Sequence, residues 1–160
     1  MEYQVVINDL GFAIVSVNIK PMYSQTMEEY KFKVDSGANR TTISCDELLK
    51  LGYSEDWIKS GVHLKGDERP ILASGIPLDD CYIVKLPQIA IGEWVGTNWP
   101  VLTSLSLPFK FLLGTDSMQF FNWTFDYRHM MCTFRLIDEK RNLPFGDYEQ
   151  SIHSIGYSRL

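Results

Sequence analysis

The chain has 160 residues, 45% of them hydrophobic and 22% charged, which indicates one globular domain with a core rather than a disordered chain. Its net charge of −5 lacks the basic surface that nucleic-acid binding requires, so we expect no nucleic-acid partner. No apolar run approaches the roughly 18 residues of a membrane span. The acidic start MEYQVVINDLG does not resemble a signal peptide, so we expect a cytoplasmic protein without a membrane partner.

Alternating apolar residues predict short strands in the first part of the chain, over Tyr3–Asn8, Phe12–Ile19 and Tyr30–Val34. A turn around Asp9–Gly11 joins the first two of them as a hairpin. Ser44 with Glu47 three residues later predicts the start of a helix over Asp46–Leu51. A second short helix is predicted over Glu55–Lys59, ended by Gly61.

Strands resume in the second part, with predicted segments at Val62–Leu64, Ile71–Leu72, Cys81–Leu86, Gln88–Ile91 and Trp94–Leu102. The most apolar run, Phe109–Leu113, stops at Gly114, and Asp116 is predicted to cap one or two helical turns over Ser117–Asn122. A hairpin of Thr124–Tyr127 and Met130–Leu136 ends the predicted domain, residues 1–136. Many short strands with one or two short helices predict an all-β barrel, followed by a loosely packed C-terminal tail over 137–160.

The cysteines and histidines, three of each, lie far apart along the sequence. Metal sites and disulfide frameworks have closer or paired spacings, so we predict no metal and no cofactor. Cys45, Cys81 and Cys132 are expected to be small buried or half-buried thiols. The GxSxG turn of serine hydrolases is not present in the sequence, so no motif supports a nucleophile of that kind.

The stretch FKVDSGANRTTIS, Phe32 to Ser44, places Asp35 where a predicted strand ends. With Ser36 and Gly37 behind it, the aspartate can form an ordinary Asx turn or provide half of an acid–base pair. Two carboxylates a few Å apart share one proton, because both cannot ionise together, and can then divide acid and base duty in amide hydrolysis. The residues alone leave both interpretations open.

Two motifs carry a resemblance to a known family. The segment FKVDSGA, Phe32–Ala38, resembles the hydrophobic-Asp-Ser/Thr-Gly-Ala signature of aspartic peptidases, and FLLGTD, Phe111–Asp116, is similar to the apolar-apolar-Gly motif of retropepsins. The layout of roughly residues 3–136 is most similar to the bacterial single-lobe group of retropepsin-like aspartic peptidases. The resemblance implies a closed barrel of the retropepsin type and peptide or protein substrates. Because the chain has one Asp-Ser-Gly motif, it also implies a homodimer with one Asp35 from each subunit.

The resemblance assigns a role to each matching residue. Asp35 is the implied catalytic residue of an endopeptidase, and its supporting turn is Ser36, Gly37 and Ala38. The implied flap and substrate-binding residues are Ala73, Ser74, Gly75, Ile76 and Asn39. The implied structural motif is Leu113, Gly114 and Thr115.

The sequence departs from the family pattern in two places. Retropepsins usually pair an acidic residue after the first motif with an arginine after the second glycine, whereas this chain has Asn39 and Thr115 there. A neutral contact between these two residues is expected to replace the ion pair. Pro77 soon after Gly75 predicts a stiffer flap. The alternative function is a non-catalytic retropepsin-like peptide-binding or dimerisation module, because a fold does not determine an activity.

Overall fold

Strands dominate the computed structural model, which describes residues 1–72, 74–106 and 110–137. The strands are β1 Glu2–Val6, β2 Ile14–Ile19, β3 Glu28–Val34, β4 Thr42–Ile43, β5 Val62–His63, β6 Cys81–Ile91, β7 Trp94–Ser104, β8 Phe111–Leu113, β9 Phe121–Asp126 and β10 Met131–Leu136. The α-helices are α1 Cys45–Lys50, α2 Glu55–Lys59 and α3 Thr115–Met118. A 3₁₀ turn spans Gly66–Glu68.

Six strands close into a barrel in the order β2-β3-β8-β4-β7-β6, and β6 returns to β2 through the pairs Asn18↔Ala90 and Ile19↔Ile89. Strand β5 extends the sheet beyond β6. Most neighbours are antiparallel, but β3 runs parallel to β8 and β4 runs parallel to β7. Closure removes the unpaired edges that an open sheet would expose. The predicted all-β closed barrel is therefore confirmed.

A separate sheet of three strands, in the order β1-β10-β9, packs beside the barrel. The first two strands were predicted to pair as a hairpin, and this prediction is wrong for most of their length. The bridge Ile7↔Ala13 joins only their facing ends, and β1 pairs with β10 instead. Aromatic packing favours this pairing, because the Tyr3 and Phe134 rings stack with centroids 5.1 Å apart. The N-terminal strand is thereby held against the C-terminal end of the described chain.

Alternation along β2 and β3 builds the barrel core. In β2 the residues Val15, Val17 and Ile19 are buried, while the residues between them are partly exposed. Phe32 and Val34 of β3 belong to the same core cluster. Burial of each such side chain contributes about 1.5–3 kcal/mol. Val34 is the last residue of β3 and is packed in this core. Asp35, the next residue, therefore lies at the end of a strand that is held in place by packing.

Side-chain caps begin two of the helices. The Ser44 hydroxyl accepts a hydrogen bond from the Glu47 amide at 3.3 Å, as predicted, and Ser54 accepts one from Trp57 at 3.0 Å. Helix α3 begins earlier than predicted and ends at Met118, because Phe121 already pairs with β10. The described residues therefore contain three short α-helices rather than one or two.

One other predicted element differs from the structure, and one lies almost entirely outside the described residues. Strand β6 continues through Pro87, so the two segments predicted around it form one strand that pairs with β7 on both sides of the proline. Only Ile137 of the predicted tail is described, and 138–160 lie outside the described residues. In the described part of the chain no helix is long and apolar enough to cross a membrane. The same residues contain no group of three or more His, Cys, Asp and Glu side chains that could hold a metal ion.

The cysteine thiols are buried and free, as predicted. Burial raises the pKa of Cys81 and of Cys132 from 9.0 to about 11, and it also raises the pKa of Cys45. The folded thiols keep their protons to a higher pH than unfolded ones. Their contribution to stability is therefore present below pH 9 and is lost as the pH rises toward about 11.

We expect the folded protein to resist thiol-specific reagents at about pH 8, because thiolate is the reactive form and access is blocked. In denaturant all three cysteines should react. A colorimetric thiol assay with and without denaturant checks this. Rapid reaction of the native protein, at a rate faster than its unfolding, would contradict the burial of these side chains.

Candidate active site

Asp35 follows β3 directly and continues its pairing with β8. Val34 is paired with Leu113, and the Asp35 amide donates to the Leu113 carbonyl oxygen at 3.0 Å. The Asp35 side chain is half-buried, whereas Ser36 and Gly37 are exposed. A carboxylate thus stands directly after the buried Val34, on a turn that solvent can reach.

The turn after Asp35 is tight and wraps around its carboxylate. The Gly37 amide donates to Asp35 Oδ1 at 2.8 Å, and the Ala38 amide donates to the Asp35 carbonyl oxygen at 3.1 Å. A Cβ atom on Gly37 would lie 3.1 Å from Asp35 Oδ1, closer than ordinary van der Waals contact. The predicted Asx turn is therefore present, and its geometry is also that of a carboxylate held in one orientation.

The second motif runs alongside this turn and holds it. The Thr115 amide donates to the Ala38 carbonyl oxygen at 2.9 Å. Gly114 lies against the backbone of Arg40, where a Cβ atom would come within 2.4 Å of the carbonyl carbon and 2.5 Å of the oxygen. The sequence predicted a neutral contact between Asn39 and Thr115. At this place the two segments are joined by the backbone bond from Thr115 to Ala38, the residue before Asn39. Leu113, Gly114 and Thr115 all contact the turn or its flanks, although a role in function remains a prediction.

A buried polar network lies behind the turn, centred on Asp116. Its carboxylate accepts bonds from the Thr41 amide at 2.9 and 3.0 Å, the Thr41 hydroxyl at 2.7 Å and the Ser117 amide at 2.7 Å. Thr41 Oγ1 and Ser117 Oγ are 2.8 Å apart, and the Trp99 indole donates to Ser117 Oγ at 3.1 Å. The Gly114 amide donates to Thr41 Oγ1 at 3.3 Å. One carboxylate therefore joins the two motifs through paired polar groups.

The prediction that Asp116 caps a helix is wrong. Gly114 is the N-cap residue of α3, and Asp116 is buried within that helix with its oxygens turned to Thr41 on the other motif. Burial raises the pKa of Asp116, and the bonds from Thr41 and Ser117 and the charge of Arg40 oppose this rise. The sequence feature that could have indicated this contact is the pair of hydroxyl residues Thr41 and Thr42 after the Asp-Ser-Gly motif, since a hydroxyl in a buried segment needs a polar partner.

The predicted flap is a hairpin turn. Ile71 and Pro77 form a bridge, the Leu72 amide donates to the Ile76 carbonyl oxygen at 3.0 Å, and the Gly75 amide donates to the Leu72 carbonyl oxygen at 2.8 Å. Gly75 has a φ of 83°, a value that favours glycine. Ile71 and Ile76 are 61% and 62% exposed, so an apolar surface is presented at this hairpin. Ser74 lies in the turn, and Ala73 lies outside the described residues.

Two further aspartates, Asp116 and Asp126, have carboxylates that are bonded to residues other than those of the Asp35 turn. The Asp116 oxygens are bound by Thr41 and Ser117. Asp126 ends β9, and its carboxylate contacts the His129 amide and ring. The described part of the chain contains one Asp-Ser-Gly turn, that of Asp35.

Comparison with known proteins supports the fold. No protein-family model and no curated protein matches the sequence. A retropepsin-like aspartic protease from Rickettsia conorii superposes with a TM-score of 0.61 at 16% sequence identity, over 84% of this chain and 89% of that one. The retroviral protease-like domain of Ddi1 from Leishmania major gives a TM-score of 0.43 at 14% identity, over 81% of this chain and 96% of that one, which is too distant to carry an argument. The chain therefore has a retropepsin-like fold, as its two motifs predicted.

Proposed function

We propose that the chain is an aspartic endopeptidase whose active form is a homodimer, with one Asp35 from each subunit. The observation that carries the proposal is the half-buried Asp35 carboxylate, held by Gly37 at the end of β3 in a retropepsin-like barrel. Two such turns related by a two-fold axis would bring two identical carboxylates together. A monomer has only one of the two groups that acid–base catalysis of amide hydrolysis needs.

The chemistry follows from one proton shared by two carboxyl groups. The ionised Asp35 takes a proton from a water molecule, whose oxygen attacks the peptide carbonyl carbon, while the protonated Asp35 gives its proton to the carbonyl oxygen. Proton transfer to the amide nitrogen then releases an amine and a carboxylic acid. No metal or cofactor enters this reaction.

An extended peptide or protein segment is the proposed substrate. It would lie between the two Asp35 turns and the two hairpins, with its main chain bonded as an added strand is. The exposed Ile76, with Ser74 and Gly75 beside it and Ala73 in the same segment, would cover the substrate and exclude water. Ser36 would support the opposite turn through its exposed hydroxyl, and Asn39 would face the substrate main chain.

Strand β9 supports the proposed dimer. It is an edge strand of its sheet within the described residues, and an edge strand offers unpaired backbone groups to another chain. Along it, the rings of Trp123, Phe125 and Tyr127 stack in sequence, and Tyr127 is 60% exposed. The cytoplasm is the proposed location, since three buried cysteines without a disulfide are compatible with a reducing compartment.

A subunit-mixing experiment tests whether both copies of Asp35 are needed. We expect an equal amount of Asp35→Asn protein, allowed to exchange subunits with wild type, to lower the cleavage rate per wild-type subunit by roughly half, because random pairing leaves roughly a quarter of the dimers intact. Peptide cleavage followed by mass spectrometry provides the rate. Asp56→Asn, on the exposed surface of α2, is the matched control and should leave the rate unchanged. An unchanged rate with Asp35→Asn after verified exchange would show that one carboxylate suffices.

The alternative is a peptide-binding or dimerisation module of the same fold. Asn39 and Thr115 favour it, because they stand where retropepsins usually have an ion pair near the substrate main chain. Such a module would bind unfolded peptide at the exposed Ile71 and Ile76 without cleaving it. Peptide binding by wild type with no products at any protein concentration would support the module.

A further inference from the structure

Asp116 is a buried carboxylate that the proposed reaction does not use. Asp116 is only 7% exposed, and both of its carboxylate oxygens accept hydrogen bonds. Removal of a charge from water is costly unless bonds and opposite charge offset it. The buried guanidinium of Arg40 supplies an opposite charge, since its field opposes the rise in the pKa of Asp116. A feature with this cost needs an explanation, since Gly114 and not Asp116 is the N-cap residue of the four-residue helix.

The neighbours of Asp116 match the ionised form. The Thr41 amide and the Ser117 amide have hydrogen to donate and nothing to accept with, and both point to carboxylate oxygens. The Thr41 hydroxyl donates its one hydrogen to Asp116 Oδ1, so Ser117 Oγ is the donor in its contact with Thr41 Oγ1, and Ser117 Oγ accepts from the Trp99 indole. A proton or an amide NH₂ at Oδ1 would place a donor against these three donors, whereas Oδ2 accepts a shared bond from the Thr41 amide.

The position of Asp116 connects this charge to the proposed catalytic turn. The segment Leu113–Asp116 contacts the segment 35–41 at four successive residues. These contacts are Leu113 oxygen to Asp35 amide, Gly114 to the Arg40 backbone, Thr115 amide to Ala38 oxygen, and Asp116 carboxylate to Thr41. The last of them is made entirely by a side chain of the second motif, so the segment that leaves the turn is anchored there by a charge.

We propose that Asp116 is a positioning residue for the Asp35 turn: its buried carboxylate holds Thr41 and thereby sets the geometry of residues 35–41. The proposal rests on the proposed endopeptidase function only for its kinetic readout. It assigns to the second motif a charged group that acts through Thr41 and does not touch substrate.

The test is Asp116→Asn, which keeps the shape of the side chain but offers one acceptor atom in place of two. We expect the protein to stay folded, with Tm changed by less than about 5 °C, because loss of a buried charge offsets the lost bonds. Backbone amide NMR signals of residues 36–41 should shift, while those of β6 and β7 stay in place. The kcat for peptide cleavage should fall on the order of 100-fold with KM little changed, since a displacement of about 1 Å at the reacting groups has that effect.

Two further variants make the result specific. Asp56→Asn removes an exposed carboxylate from α2 and should move neither kcat nor the signals of 36–41. Thr41→Val removes the hydroxyl donor and keeps the amide donor, so we expect a smaller displacement of the same signals.

The outcomes separate this proposal from the proposed function. Unchanged amide signals at 36–41 in folded Asp116→Asn would overturn the positioning role, whether or not the protein cleaves peptides. If wild type cleaves nothing but these signals shift, the positioning role stands and the endopeptidase proposal fails. Equal losses of kcat in Asp116→Asn and Asp56→Asn would also overturn the positioning role of Asp116.

Discussion

Asp35→Asn should abolish peptide cleavage, with a loss on the order of 10⁴-fold or more, because the substituted amide can neither take a proton from water nor give one to the carbonyl oxygen. The fold should persist. Asparagine keeps an oxygen that can accept the 2.8 Å bond from the Gly37 amide, and the backbone bond from the residue 35 amide to the Leu113 oxygen does not involve the side chain. Peptide binding should therefore remain while turnover is lost.

The measurement is mass spectrometry of an unfolded protein mixture incubated with concentrated enzyme between about pH 4 and pH 7, the range expected for a dyad with one shared proton. Asp56→Asn serves as the control, since its carboxylate is exposed on α2 and distant in sequence from either motif. Products from wild type and Asp56→Asn, with none from Asp35→Asn, would establish Asp35-dependent proteolysis. Equal product yields from all three would show that the cleavage does not come from this carboxylate.

If neither wild type nor Asp35→Asn yields products and both are folded, the alternative function gains support. Peptide affinity then becomes the measurement, because a binding module should retain it in both proteins. Loss of folding in Asp35→Asn would instead indicate that the turn is purely structural, and thermal unfolding of the variant distinguishes this case.

Gly114→Ala should destabilise the protein by about 3 kcal/mol, the upper end for an overpacked side chain. The new Cβ atom would meet the backbone of the buried Arg40 at 2.4–2.8 Å, and backbone atoms cannot move aside as a flexible side chain can. Conformation is not the cause, because the Gly114 φ of −94° and ψ of 178° suit any residue. Tm should fall by roughly 10 °C for a chain of this size.

The matched control is Gly66→Ala, which has the opposite combination of space and conformation. Gly66 has a φ of 57°, but nothing lies within 4 Å of its would-be Cβ atom. The left-handed conformation alone costs about 1–2 kcal/mol in alanine. Thermal and denaturant unfolding of both variants therefore compare a steric clash with backbone strain. Equal losses of stability would contradict the close contact between the two motifs.

Displacement of the Asp35 turn should accompany the Gly114→Ala clash, since Arg40 is only five residues after Asp35. At a temperature where the variant is folded, we expect cleavage to be reduced well beyond the loss of folded protein. Gly66→Ala should retain wild-type cleavage per folded molecule. Full activity of folded Gly114→Ala would show that the contact supports the barrel but not the turn.

Features that depend on neighbouring residues could be predicted from the amino-acid sequence alone. Ser44 and Glu47 predicted a capped helix because capping involves atoms three residues apart. The alternation of β2 predicted its buried face, because side chains on a strand point to opposite sides. The Asp-Ser-Gly turn likewise formed as predicted, since the bond from Gly37 to Asp35 spans two residues.

Which distant segments meet depends on the folding of the whole chain. Asp116 matches a helix cap in sequence, but Thr41, 75 residues earlier, offers its carboxylate two donors in a buried site. The pairing of β1 with β10 and the parallel pairing of β3 with β8 also join the early and late parts of the chain. Local sequence patterns do not indicate such contacts, because the contacts depend on barrel closure and burial, which involve the whole chain. The residues of the turn around Asp35 could therefore be named from the sequence, whereas its geometry is set by the fold.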